Sequence, residues 1–263
     1  MISKNSIKLI KSLANKKNRI KENLFVVEGD KMVAEALISK FVVEKLYATN
    51  SFIVKNKPII KNEKLVNEVT REDIVKSSLL KNPQNSIALC KLPDKKELPI
   101  KIDSDLGIYL DEVQDPGNLG TIIRICDWFG IEHLFCSPKT ADMFNPKVIQ
   151  SSMGSFCRVN VWYTAFEPVV ELASKSEMKV LGAFLHGENI YAQKYYSRIL
   201  LVMGNEGNGI SADVEKMIDK RIKIPEFNKN PKSAESLNVS VATAIICSEF
   251  KRQTNYSALL EMK

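Results

Sequence analysis

Histidine and cysteine are scarce in this 263-residue chain, and neither is clustered. There are two histidines, His133 and His186, and five cysteines, Cys90, Cys126, Cys136, Cys157 and Cys247, with no short paired spacing. A zinc site needs grouped ligands and a disulfide framework needs partnered thiols, so no metal is expected and the cysteines read as buried free thiols. Long apolar runs are missing too. No window approaches the roughly 18 residues of a membrane helix, and the N-terminus lacks the apolar core of a secretory signal. These absences lead us to expect a soluble, intracellular, cytoplasmic protein with no membrane partner.

Acidic residues are also missing from one place. The first 21 residues, MISKNSIKLIKSLANKKNRIK, carry seven basic side chains and no acidic one. Residues 1–98 hold 20 Lys and Arg against 11 Asp and Glu, a net +9, while residues 99–263 hold 18 against 20. A basic run of this kind is either a solvated helix face or arm, or a surface for a polyanion.

With 44% hydrophobic residues the chain can bury a large core, and its length suits two modest domains. Residues 24–27, 45–48 and 86–90 have strand character, and a helix over 30–38 has Asp30 available as its N-cap. Two prolines and a charge cluster in residues 91–100 place the boundary, giving domains 1–98 and 99–263. Beyond it, strands (106–110, 131–136, 158–162, 180–185, 199–203, 221–224) alternate with helices (119–129, 145–153, 167–175, 211–218, 239–252). That alternation predicts a parallel α/β sheet, with ligands bound past the carboxyl ends of its strands.

Four loops fall at that edge: Asp115-Pro-Gly-Asn118, His186-Gly-Glu188, Gly204-Asn-Glu-Gly-Asn-Gly209 and residues 225–236. The glycine loop has the spacing G-x-x-G-x-G, not the G-x-G-x-x-G of a nicotinamide fold, and lacks the Lys-Ser/Thr of a triphosphate loop. Asn118 can cap the helix that follows it, and Arg124 can project from that helix toward the site. Its plain alternative is a surface salt bridge, but in the otherwise buried context of Ile122, Ile123, Ile125 and Cys126 a charge is expected to have a partner or a job. Ser236 or Asn238 can cap the last helix, whose small residues Ser240, Ala242 and Ala244 permit close packing.

Three of these segments, in order, resemble the three motifs of the SpoU (TrmH-like) branch of the SPOUT RNA methyltransferases: DPGNLGTIIR (115–124), LLVMGNEGNGIS (200–211), and IKIP with SLNVSVATA (222–225, 236–244). Residues 144–154, FNPKVIQSSMG, resemble the stretch between the first two, so the match spans about residues 106 to 253. Upstream, KSLANKKNRIKENLFVVEGDKMVAEAL (11–37) and LKNPQNSIALC (80–90) resemble the small RNA substrate-binding domain of several members, of ribosomal-protein-L30e-like fold.

The resemblance implies a trefoil knot in the catalytic domain, a homodimer, S-adenosyl-L-methionine as cofactor and transfer of its methyl group to a ribose 2′-hydroxyl; the basic N-terminal domain, together with the family's habit, favours 23S-type ribosomal RNA as partner. It assigns catalysis to Arg124, Asn118, Glu206, Ser236 and Asn238, and cofactor contacts to Gly204, Ile224 and Leu237, with Glu206 expected to fix Arg124. Transfer RNA as substrate, an RNA-binding assembly factor without catalysis and a nicotinamide-dependent oxidoreductase are the alternatives. Two departures stand out: an insertion, Lys229-Asn-Pro-Lys-Ser233, with Glu226 where an apolar residue is common, and Asn85 where a glycine is expected.

Overall fold

The computed structural model describes the chain except residues 95, 96, 193, 195, 229–234 and 262–263, with side chains described through residue 254; the insertion at 229–233 lies outside the described residues. The chain divides into two compact units: Met1–Lys96 with Asp142–Arg158, and Glu97–Ala141 with Val159–Lys263.

The basic N-terminus folds as two short helices, α1 (Lys4–Ser12) and α2 (Lys16–Glu22), capped by Ser3 and Asn15, whose side chains accept the Ser6 and Lys17 amides. It is not an arm. Ile2, Ile10, Leu13 and Arg19 are buried, and the six lysines (Lys4, Lys8, Lys11, Lys16, Lys17, Lys21) are exposed. Then follow β1 (Leu24–Glu28), α3 (Asp30–Ile38), β2 (Val43–Ala48), α4 (Asn50–Asn56), β3 (Val66–Glu68), α5 (Arg71–Ser77) and β4 (Ser86–Lys91). The strand order is β1-β4-β2-β3; β4 runs antiparallel to β1 and β2, and β3 pairs parallel to β2.

Asp30 is not the cap of α3. Gly29, at φ 97°, occupies that position, and the Asp30 carboxylate instead accepts the Asn85 amide (2.9 Å), Asn85 Nδ2 (2.8 Å) and Ser86 Oγ (3.2 Å). Asn85, the residue in place of a glycine, is thereby tied down.

The second unit begins with β5 (Leu106–Leu110), α6 (Pro116–Trp128) and β6 (His133–Cys136). The chain then leaves it. Residues 142–158, with α7 (Pro146–Ser152), belong to the first unit, where Arg19 donates to Asp142 at 2.7 Å and to the Leu13 and Ala14 carbonyls. Phe144 packs on Phe25 (ring centroids 4.7 Å apart) and Phe156 stacks on Phe41 (5.6 Å).

Back in the second unit come β7 (Asn160–Tyr163), α8 (Phe166–Lys175), β8 (Lys179–Asn189), β9 (Ile199–Met203), α9 (Ala212–Glu215), β10 (Lys220–Lys223) and α10 (Val239–Glu261), which packs on α6. All six strands are parallel, in the order β10-β8-β9-β5-β6-β7. The alternation therefore gives the expected sheet. β5 and β9 are buried at every position, as central strands covered on both faces must be.

One loop at the edge is not there. β8 runs on through His186-Gly-Glu188, because Glu188 and Asn189 pair with Ile222 and Lys223 of β10 after a break in register. Gly187 is required at that crossing, since a Cβ would stand 2.8 Å from the Arg221 carbonyl carbon.

Candidate functional site

Three loops at the carboxyl edge of the parallel sheet are joined by side chains. The first, after β5, turns into α6 through Asp115, whose carboxylate accepts the Asn118 amide at 2.9 Å, with Pro116 at the first helical position. Asp115 thus takes the capping role expected of Asn118. Asn118 stands one turn inside the helix with its side chain free for other partners.

The second loop, after β9, folds back on itself: Asn205 and Gly209 exchange backbone hydrogen bonds of 2.9 and 3.0 Å. Gly204 is needed for this turn, since a Cβ there would meet the Gly209 carbonyl carbon at 2.2 Å. Gly209, at φ 70°, adopts the left-handed conformation glycine favours. The turn puts the Glu206 carboxylate over the first loop. Its Oε2 accepts the Gln114 amide (3.2 Å), and its Oε1 accepts the Asp115 amide (3.2 Å) and Asn118 Nδ2 (2.9 Å).

The third loop connects β10 to α10. Asn238 caps α10, its Oδ1 accepting the Ser240 amide (2.9 Å) and hydroxyl (2.6 Å), while its Nδ2 donates to Asn118 Oδ1 at 2.9 Å. A continuous chain, Glu206–Asn118–Asn238, therefore links all three loops and fixes which end of each amide faces which neighbour. Partial burial pushes the Glu206 carboxyl upward, but the hydrogen bonds from Asn118 and from nearby backbone amides, Gln114 and Asp115 among them, outweigh it and hold it below the usual glutamate range.

The other expected site residues fall differently. Arg124 is exposed, not buried, and among the described residues it makes no hydrogen bond or ion pair. Six positions past Asn118, it lies about 120° round the helix from that residue. The pairing of Glu206 with Arg124 does not form: the carboxylate takes Asn118 and two amides, and Arg124 leaves α6 on a different side from Asn118. Ser236 is exposed and does not cap α10; Asn238 does. Gly204 and Ile224 are half-buried and Leu237 is 51% exposed. The backbones of these three residues have no hydrogen-bond partner among the described residues.

Two residues that matter here escaped the sequence reading. Buried Asp111 accepts the Ser211 amide at 2.7 Å, stapling the end of β5 to the start of α9. Asn205 Nδ2 donates to the Glu112 carbonyl at 2.7 Å. A polar residue ending an apolar strand was the available signal for Asp111; nothing local flags Asn205. The cysteines are all free and buried, and burial pushes the Cys247 thiol up to about 12, so none is poised as a nucleophile. Among the described residues no group of three or more His, Cys, Asp or Glu could hold a metal, and no helix is long and apolar enough to cross a membrane.

Comparison with known proteins bears on what these loops belong to. Residues 105–248 match the model of the SpoU rRNA Methylase family, and residues 4–88 match that of the MRM3-like substrate binding domain. Over 243 residues the chain is 32% identical to the 23S rRNA (guanosine(2553)-2'-O)-methyltransferase RlmP of Bacillus subtilis, covering 90% of this chain and 92% of that one. A TrmH-family putative RNA methyltransferase from Porphyromonas gingivalis has a similar structure, with a TM-score of 0.83 at 37% identity over 96% of this chain and 99% of the other. An AdoMet-bound rRNA methyltransferase from Sinorhizobium meliloti gives a TM-score of 0.82 at 25% identity, over 96% of each. With the family model covering more than half of the chain and the site loops inside that match, this protein belongs to the SpoU rRNA methylase family.

Proposed function

We propose that the protein transfers a methyl group from S-adenosyl-L-methionine to the 2′-hydroxyl of a ribose in RNA, with 23S-type ribosomal RNA as the substrate class. The observation that carries the reading is the Glu206–Asn118–Asn238 chain, which joins three loops at the ligand-binding edge of a parallel sheet. The cofactor fits what is present: backbone groups at Gly204, Ile224 and Leu237 that have no partner among the described residues suit the hydrogen-bonding edge of an adenine, and the Ile224 and Leu237 side chains offer apolar contact. When bound, it supplies a methyl group on a positively charged sulfur. The solved relative from Sinorhizobium meliloti, described as AdoMet bound, supports this choice.

A ribose hydroxyl is a poor nucleophile at neutral pH, so the protein must orient it and stabilise the charge that develops on its oxygen. Arg124, cationic and without a partner among the described residues, serves to hold the hydroxyl and the adjacent phosphate. Asn118 and Asn238, their amides fixed by Glu206 below and by the α10 cap above, brace the loops around the reacting groups. Ser236, exposed at the start of the third motif's second segment, contacts RNA.

RNA docking falls to the first unit, the RNA substrate-binding domain of L30e-like fold, supported by six exposed lysines on and around α1 and α2. A trefoil knot and a cytoplasmic homodimer complete the reading. The exposed Trp128 of α6 and Val241 of α10 support a subunit interface. The test is incorporation of tritiated methyl groups into total RNA from cells lacking the gene, followed by mapping of the 2′-O-methyl site. Label in ribosomal RNA at one ribose is expected; no incorporation into any RNA sinks the reading.

A further inference from the structure

Asn205 makes two kinds of contact at once. Within its own turn, its Oδ1 accepts the Gly207 amide (2.9 Å) and the Asn208 amide (3.0 Å), an Asx turn that needs only an acceptor. Its Nδ2 reaches out of the turn and donates to the main-chain carbonyl of Glu112 at 2.7 Å. The next residue, Glu206, accepts the amides of Gln114 and Asp115 on the far side of the same loop. Consecutive side chains therefore grip residues 112–115 at both ends, one as donor and one as acceptor.

The grip acts where the backbone is under constraint. Glu112 has φ 58°, a left-handed conformation costly for a residue with a Cβ, and its amide is held by Ser137 Oγ at 2.9 Å. The Glu112 side chain plays no part in the grip, since its carboxylate pairs with Lys139 at 2.7 Å. Its carbonyl is what Asn205 uses. Without that donor the peptide has one tie fewer against relaxing out of the left-handed region, and the amides two and three residues on move relative to Glu206.

We propose that Asn205 is a positioning residue for methyl transfer: by holding the Glu112 carbonyl it sets where Glu206 meets the first loop, and through Glu206 how Asn118 and Asn238 present their amides. The proposal deepens the reading of a ribose methyltransferase and rests on it.

The test compares Asn205→Ser with Glu112→Gly in the full chain. Serine keeps an acceptor for the turn but cannot reach the carbonyl; glycine keeps the carbonyl and is at ease at positive φ. With the RNA of cells lacking the gene and saturating S-adenosylmethionine, Asn205→Ser is expected to lower kcat on the order of tenfold or more. Its KM for RNA and its cofactor affinity by calorimetry should stay within about twofold, and Glu112→Gly should keep wild-type kcat. The acid limb of the Asn205→Ser rate profile should move to higher pH as Glu206 loses amide donors, and hydrogen exchange at Gln114 and Asp115 should quicken. Unchanged kcat and unchanged exchange in Asn205→Ser overturn the proposal, as does a loss confined to cofactor affinity, which would make Asn205 a cap of its own turn only. If the wild-type chain methylates no RNA, the functional reading fails instead, and the exchange comparison alone decides whether Asn205 sets the loop.

Discussion

Replacing Glu206 by glutamine changes a single atom, and the consequence can be followed bond by bond. The carboxylate offers two acceptor oxygens: Oε2 takes the Gln114 amide, and Oε1 takes both the Asp115 amide and Asn118 Nδ2. Glutamine has one acceptor. With its oxygen at the Oε1 position, its NH2 faces the Gln114 N–H, donor against donor. With the oxygen at the other position, its NH2 faces the Asp115 amide and Asn118, and Asn118 must turn over. Its Nδ2 would then confront Asn238 Nδ2, and Asn238 in turn would have to abandon the cap of α10. The first arrangement forfeits one hydrogen bond at a solvent-accessible position, about 1 kcal/mol. The second costs that plus the helix cap, about 1 kcal/mol more. Glu206→Gln should therefore take the first course, losing about 1 kcal/mol in urea denaturation and on the order of tenfold in the single-turnover rate at saturating cofactor. Glu206→Ala, which leaves Asn118 held only by Asn238, should lose on the order of 100-fold. Wild-type single-turnover rates in both variants would refute the role of the amide chain.

Four other outcomes are expected. Arg124→Ala should abolish transfer while leaving cofactor affinity intact and stability within about 0.5 kcal/mol, because the side chain is exposed and without a partner among the described residues; wild-type transfer removes it from the mechanism. Arg19→Ala should cost about 3 kcal/mol by chemical denaturation, since it strands Asp142, 16% exposed, and two carbonyls that the buried guanidinium serves; a loss under about 1 kcal/mol counts against that network. Lys8, Lys16 and Lys17 changed together to alanine should weaken RNA binding at low salt and reduce its salt slope; an equal loss at all salt concentrations would signal misfolding. Because the folded-state pKa of Glu206 is depressed, its contribution to loop stability is complete above the ordinary glutamate value and disappears as pH falls through the lower folded value. Exchange at Gln114 and Asp115 should quicken only in that acidic window, and a change near neutrality would contradict the assignment.

The sheet was legible because parallel strands buried on both faces are apolar throughout: GIYL and ILLVM announce β5 and β9 without ambiguity. The three loops were legible as motifs, and Glu206, Asn118 and Asn238 do come together. Their partners were not legible. Asn118 looked like a cap, but Asp115 three residues earlier, followed by proline, outcompetes it for the helix start. Arg124 looked buried from its apolar neighbours, yet a helix of period 3.6 turns Ile122, Ile123 and Cys126 inward and the arginine outward. β3 is three residues long and carried too little pattern to be read. The Lys139 and Asn205 contacts with Glu112 link residues 27 and 93 positions apart, a distance over which periodicity says nothing.

The excursion of residues 142–158 into the first unit has a practical corollary for anyone dissecting the molecule. A fragment ending near residue 98 looks like a self-contained module, but it leaves Phe25 and Phe41 without Phe144 and Phe156, and Arg19 without its counter-ion. The chain passes between the units three times, near residues 96, 141 and 158. Grafting the first unit onto another methyltransferase would therefore require transplanting two separate pieces of sequence, and a simple head-to-tail fusion would deliver an incomplete core.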